Sequence, residues 1–256
     1  MRRVCKEMPR AISLDAITVW AAPLDGVPDA LWPRVESILD AAERERARRF
    51  RFERDCRHYW AAHALKRVML SVSTGGAIAP RAWAFDTGPH GRPAVVGGAG
   101  AHFNLSHCDG LVACAVSRAG EPGIDVENLD RALPSDVAET CLAADEAKWL
   151  NDLPPTARQA GFLRLWTLKE AYIKATGLGL SQPLDAFAIG FDPLRISFAD
   201  PALGDPSAWR FEQLELGGRH LLAVAWRAPA KPIQVEVTPV NLESLLEFAV
   251  LCSTLT

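Results

Sequence analysis

Apolar and polar positions along the chain switch between a period of two and a period near 3.6, and the switches mark out the elements. Residues 15–22, from Asp15 to Ala22, read as a strand. A helical stretch follows around residues 31–39, then one long Arg-rich helix over about 41–70 that Gly75-Gly76 brings to an end. Trp83-Ala84-Phe85 and residues 93–96 read as strands on either side of Gly88-Pro89-His90-Gly91. Residues 102–107 and 111–116 flank Asp109-Gly110, a dipeptide that tolerates the positive φ of a tight hairpin. After the break at Gly120-Glu121-Pro122-Gly123 the order repeats. It gives a strand from Ile124 to Glu127, a helix over 143–150, a long helix over 156–176, and strands near 187–191, 195–198, 209–215 and 220–226. The later strands predict an antiparallel sheet beside the second long helix.

Composition narrows the function classes. With 49% hydrophobic and 23% charged residues over 256 positions, the chain is expected to fold as a packed globule with a real core. A net charge of −3 excludes binding to nucleic acid through the overall field, so any anion site must be local. Six scattered cysteines without a C-x-x-C point to reduced thiols in a cytoplasmic protein. Lys6, Glu7, Arg10 and Asp15 interrupt what an export signal would need as an apolar run, and no uncharged stretch approaches a membrane span, so no membrane partner is expected.

Five segments carry candidate chemistry. In Ile124-Asp125-Val126-Glu127 the alternation puts Asp125 and Glu127 on one face of a strand, about 7 Å apart, where their oxygens can share a hard divalent cation such as Mg²⁺. A solvated strand face is the competing reading. On the second long helix Trp166, Glu170 and Lys174 recur every four residues with Lys169 beside them, either as a site or as a surface Glu-Lys pair. Ser106 and His107 next to the hairpin can contact phosphate or satisfy the turn, and they point to opposite faces, which excludes a Ser/His nucleophile pair. Gly91-Arg92 reads the same way, as a phosphate grip or a surface turn. The stretch 44–57 holds seven arginines against three acids, a solvated helix face or a local anion site.

Taken in order, Arg48-Arg49-Phe50, Gly91-Arg92-Pro93, Phe103-Asn104-Leu105-Ser106-His107, Gly123-Ile124-Asp125-Val126-Glu127, Trp166-x-x-Lys169-Glu170-Ala171-x-x-Lys174 and Gly179-Leu180-Ser181-x-Pro183-Leu184 resemble the successive blocks of the 4′-phosphopantetheinyl transferase superfamily. The resemblance is to its larger single-chain type, which activates surfactin synthetase, and it covers about residues 41–187. It implies an α+β fold of two similar, pseudo-symmetric subdomains, each a small, mostly antiparallel sheet packed on a long helix. Residues 1–120 would form the first, residues 121–240 the second with the metal site, and 241–256 a tail that covers the core or meets a partner. It also implies a monomer that moves phosphopantetheine from coenzyme A to a serine of an apo acyl, peptidyl or aryl carrier protein and releases adenosine 3′,5′-bisphosphate.

By position, Asp125, Glu127 and Glu170 would hold Mg²⁺ against the pyrophosphate, Lys174 would stabilise developing charge, and Glu170 would take the carrier serine proton directly or through water. Arg92, Ser106, His107 and Lys169 would contact coenzyme A phosphates, with Arg46 to Arg57 facing its 3′-phosphate end. The chain departs from surfactin-type relatives at Glu43 and Arg46, where they carry Lys. A non-catalytic coenzyme A binding module and a magnesium-dependent pyrophosphate hydrolase are the alternatives from other classes.

Overall fold

Buried apolar residues sort into three cores, because alternate residues of the central strands face opposite ways. The computed structural model describes residues 16–88, 91–97, 100–131 and 141–254, so Asp15, His90 and the last two tail residues lie outside the described residues. The first half contains β1 (Ala16–Pro23), α1 (Trp32–Glu36), α2 (Ala41–Ala47), α3 (Glu53–Ser73), β2 (Phe85–Thr87), β3 (Pro93–Val95), β4 (His102–Cys108) and β5 (Leu111–Ser117). It is followed by β6 (Pro122–Asn128), α4 (Ala144–Asp152), α5 (Pro155–Thr176), β7 (Phe187–Gly190), β8 (Arg195–Phe198), β9 (Trp209–Leu216), β10 (His220–Arg227), β11 (Gln234–Pro239) and α6 (Leu242–Thr254). Helix and sheet are mixed in an α+β fold.

One sheet has the order β11-β1-β5-β4 and a second the order β6-β10-β9, with β2-β3 and β7-β8 as separate hairpins. On β1 and β5, Trp20, Ala22, Val112 and Cys114 face α3, while Val19, Ala21, Ala113 and Ala115 face the other sheet. There they meet Ile124, Val126, Leu222 and Val224, so the two sheets pack face to face between the two long helices. The opposite face of β10, with Ala223 and Ala225, packs on α5.

Two expectations are corrected, and the tail takes one of the two forms expected of it. The Arg-rich segment is two helices, α2 and α3, with Phe52 extended between them. Asp40 and Glu43 close a capping box at the start of α2, and Glu43 then turns inward to Lys66 and Arg67 of α3, which folds α2 back instead of continuing it. Residues beyond 233 do not stay with the second sheet: β11 pairs in parallel with β1, Val19 opposite Val237. The tail is a helix whose Leu242, Leu245, Leu246, Phe248 and Cys252 bury against α3, so it covers the first core.

The sheets also meet edge to edge, at β4 and β6, through side chains. Asn104 Oδ1 accepts from the Ile124 amide at 3.0 Å, and Ser106 Oγ accepts from the Val126 amide at 3.2 Å. Gly123, next on β6, lies against α5 so closely that a Cβ there would stand 1.9 Å from the Ala171 carbonyl oxygen. Gly123→Ala is therefore expected to cost about 3 kcal/mol of stability, because backbone on both sides must move. A urea midpoint equal to wild type would show that β6 and α5 separate without penalty.

Candidate functional site

Because Ile124 and Val126 point into the core between the sheets, Asp125 and Glu127 are turned the other way, towards α5. The approach of α5 that Gly123 permits then sets its side chains against these acids. Lys174 Nζ donates to Asp125 Oδ1 at 2.6 Å and to Ser106 Oγ at 3.1 Å, and Ser106 donates to the same Oδ1 at 2.8 Å. Glu127 Oε1 accepts from Trp166 Nε1 at 3.0 Å and from Arg131 at 2.5 Å. Asp125, Glu127, Ser106, Lys174 and Arg131, with His107 and Cys108 of β4, line a cleft of about 700 Å³ between the two halves, and Trp166 stands behind Glu127. Arg54, Arg131, Lys174 and Arg219 stand along it beside Asp109, Asp125, Glu127 and Asp130, so cations and acids are balanced in the cleft.

The electrostatics are those of acids crowded together. Burial pushes the Glu170 carboxyl up, with Lys174 opposing and Asp125 and Glu127 adding to the rise. Glu127 is also pushed up by burial, against the hydrogen bond from Arg131, and Asp125 raises it further. Burial and the neighbouring charges of His58 and Lys174 drive the His107 imidazole down, so it faces the cleft neutral at neutral pH. The Cys108 thiol is pushed up to about 12 by burial and by Glu127, Asp125 and Asp109, which rules it out as a thiolate nucleophile.

A hard cation fits this donor set. Asp125 Oδ2 is buried with no hydrogen-bond partner, and the charge of Asp125 raises the proton affinity of Glu127 and of Glu170, an arrangement that a positive charge would relieve. Among the described residues no three His, Cys, Asp or Glu side chains are gathered tightly enough to hold an ion. Lys174 neutralises Asp125 and Arg131 neutralises Glu127 instead.

Four residues expected at phosphate lie elsewhere. Lys169 is fully buried, donating to Glu146 at 2.6 Å and to the Phe187 carbonyl at 2.8 Å, because it sits on the side of α5 that faces α4 and β7 rather than β6. Arg92 spends its donors on the carbonyls of Lys174 at 2.6 Å, Ala175 at 3.0 Å and Pro122 at 3.1 Å, clamping the C-terminus of α5 to β6. Arg46 is exposed on α2, away from the cleft. Arg57 pairs with Glu53 and with Asp29 at 2.9 Å, stacks over Trp32, and borders a neighbouring groove. The structure adds Trp166, Arg131 and Arg219 as side chains of the site. Trp166 was visible on the Glu170 face of the helix, whereas Arg131 and Arg219 carry no local signal.

Comparison with known proteins shows what the chain is similar to. A model of the 4′-phosphopantetheinyl transferase superfamily matches residues 121–225, from the start of β6 to the end of β10. The chain is 32% identical over 217 residues to the 4′-phosphopantetheinyl transferase HetI of Nostoc sp., covering 82% of this chain and 87% of that protein. It is 36% identical over 154 residues to the 4′-phosphopantetheinyl transferase psf-1 of Bacillus pumilus, over 60% of this chain and 64% of the relative. Against the 4′-phosphopantetheinyl transferase Sfp of Bacillus subtilis the identity is 28% over 215 residues, covering 83% and 92%.

Proposed function

The chain belongs to the 4′-phosphopantetheinyl transferase superfamily and is an enzyme of that class; from this premise we propose that it moves 4′-phosphopantetheine from coenzyme A to a serine of an apo carrier protein, with Mg²⁺ as cofactor. The observation that carries the reading is the Asp125, Ser106 and Lys174 cluster in a cleft beside Glu127 and Glu170. The carrier serine oxygen attacks the phosphorus that bears the pantetheine arm. The bond from that phosphorus to the bridging pyrophosphate oxygen breaks, and adenosine 3′,5′-bisphosphate leaves.

Asp125, Glu127 and Glu170 are the residues that would hold Mg²⁺, which when bound neutralises pyrophosphate charge. Glu170 takes the serine proton, directly or through water. Lys174 has three N–H donors and uses two on Asp125 and Ser106, so its third is free for a phosphate oxygen. His107 offers a neutral N–H from the opposite wall.

The reading extends to a monomer, because β4 supplies one wall of the cleft and β6 with α5 the other, so one chain builds the whole site. It pairs the two sheet-and-helix halves as similar subdomains around the cleft. The free thiols of Cys56, Cys108, Cys114 and Cys252 fit a reducing cytoplasm. No helix among the described residues is long and apolar enough to cross a membrane.

Incubation with coenzyme A, Mg²⁺ and an apo carrier, read by carrier mass, tests the reading. A gain of one phosphopantetheine group supports it. No gain across acyl, peptidyl and aryl carriers overturns it in favour of a binding module, and bisphosphate release without any carrier overturns it in favour of a hydrolase. Asp125→Ala is expected to raise the Mg²⁺ concentration for half-maximal rate at least tenfold, and a wild-type Mg²⁺ titration in that variant removes Asp125 from the metal set.

A further inference from the structure

Ser106 is placed so that it cannot act as the phosphate donor its position in the sequence suggests. A hydroxyl has one hydrogen to give and two lone pairs to accept with. Ser106 gives its hydrogen to Asp125 Oδ1 at 2.8 Å, and accepts from the Val126 amide at 3.2 Å and from Lys174 Nζ at 3.1 Å. All three valences are used, and the residue is only 5% exposed. It is the single side chain in the described cleft that touches β6, Asp125 and Lys174 at once.

The geometry has a direction. By holding Oδ1, and by docking Lys174 on the same oxygen, Ser106 leaves Oδ2 as the oxygen of Asp125 without a partner. A carboxylate free to rotate would present either oxygen to Lys174 and would have to be reoriented each time a cation bound. We infer that Ser106 is the positioning residue of the site: it acts through Asp125, holding the carboxylate in the rotamer that offers Oδ2 to a divalent cation, and it makes no contact with coenzyme A phosphate. The bond to Val126 ties this orientation to β6 itself. Asn104, two residues earlier on β4, makes the matching bond to Ile124 and has no bond to Asp125, so it shares the structural role without the positioning one.

The inference rests on the proposed metal-dependent reading, and direct binding measurements separate the two. Mn²⁺ affinity is measured by electron paramagnetic resonance with coenzyme A present, and coenzyme A affinity by calorimetry without metal, for wild type, Ser106→Ala, Ser106→Cys and Asn104→Ala. Wild type that binds no Mn²⁺ overturns the metal reading itself. Given wild-type binding, Ser106→Ala is expected to weaken Mn²⁺ at least tenfold while metal-free coenzyme A affinity stays within about twofold, and Asn104→Ala is expected to hold Mn²⁺ affinity within about twofold although it melts lower. Unchanged Mn²⁺ affinity in Ser106→Ala overturns the positioning role, and so does a loss of metal-free coenzyme A affinity as large as the Mn²⁺ loss, which would make Ser106 a phosphate ligand. An equal Mn²⁺ loss in Asn104→Ala also overturns it, since the clasp between β4 and β6 alone would then be responsible. Should Ser106→Ala not fold, Ser106→Cys, which keeps the size and bonds weakly, is judged by the same limits.

Discussion

Glu170→Gln is expected to lower the rate of carrier modification by about 10³-fold while coenzyme A still binds within a few-fold of wild type, because the amide keeps the shape of the side chain and loses its charge and basicity. Burial and the charges of Asp125 and Glu127 hold the Glu170 carboxyl above its ordinary range, with Lys174 opposing. A carboxyl whose folded-state pKa is raised penalises the folded protein once pH exceeds the unfolded value, and the penalty is complete above the folded one. Removing the charge should therefore let the variant melt slightly higher than wild type while it turns over far more slowly. In wild type the rate should fall once pH drops far enough to protonate Glu127 and Glu170, since both must be ionised to work. Unchanged turnover in Glu170→Gln, measured with saturating metal and carrier, would remove Glu170 from the chemistry.

Glu43→Gln should cost about 3–5 kcal/mol at pH 7, the usual consequence of taking one member from a buried ion group. Lys66, 2% exposed, would lose its carboxylate partner, and Arg67, 0% exposed, would keep Asp40 alone. Burial alone would raise the Glu43 carboxyl, but the hydrogen bond from His63, the charge of Lys66 and the hydrogen bond from Arg67 outweigh it and hold it far below the usual carboxylate range. The sign follows from that depression. The stability Glu43 contributes is complete above the unfolded pKa near 4.3 and is lost as pH falls below it. Denaturant unfolding at stepped pH should show wild type and variant converging as pH drops through about 4. A pH-independent gap between them would mean that Glu43 stabilises by packing and not by charge.

Glu43 also marks where the sequence was legible and where it was not. Local patterns were readable because one strand or one helix decides them. The alternation in Ile124-Asp125-Val126-Glu127 gave the shared face of the two acids, Asp109-Gly110 gave the hairpin of β4 and β5, and Gly177, at φ 71°, closes α5. The break between α2 and α3 had no such signal, since it depends on Glu43 reaching residues more than twenty positions away. Lys169 was misread for a related reason. A helix packed on two sides offers more than one buried face, and only the position of Glu146 on α4 shows that Lys169 belongs to the one away from β6. Arg92 looked like a ligand because its donors were unassigned until the end of α5, some eighty residues on, came beside it.

The parallel pairing of β11 with β1 reaches furthest of all, and it orders events in time. A ribosome delivers β1 well before its partner, residues 234–239. Residues 122–227, by contrast, carry β6, α5, β9 and β10 in one uninterrupted stretch. The sheet that bears the acids can therefore assemble while the earlier one still waits with an unpaired strand, exposed to chaperones and to wrong partners. The sheet begun by β1 is completed only after the sheet that follows it in the chain, and α6, arriving after β11, then covers its core.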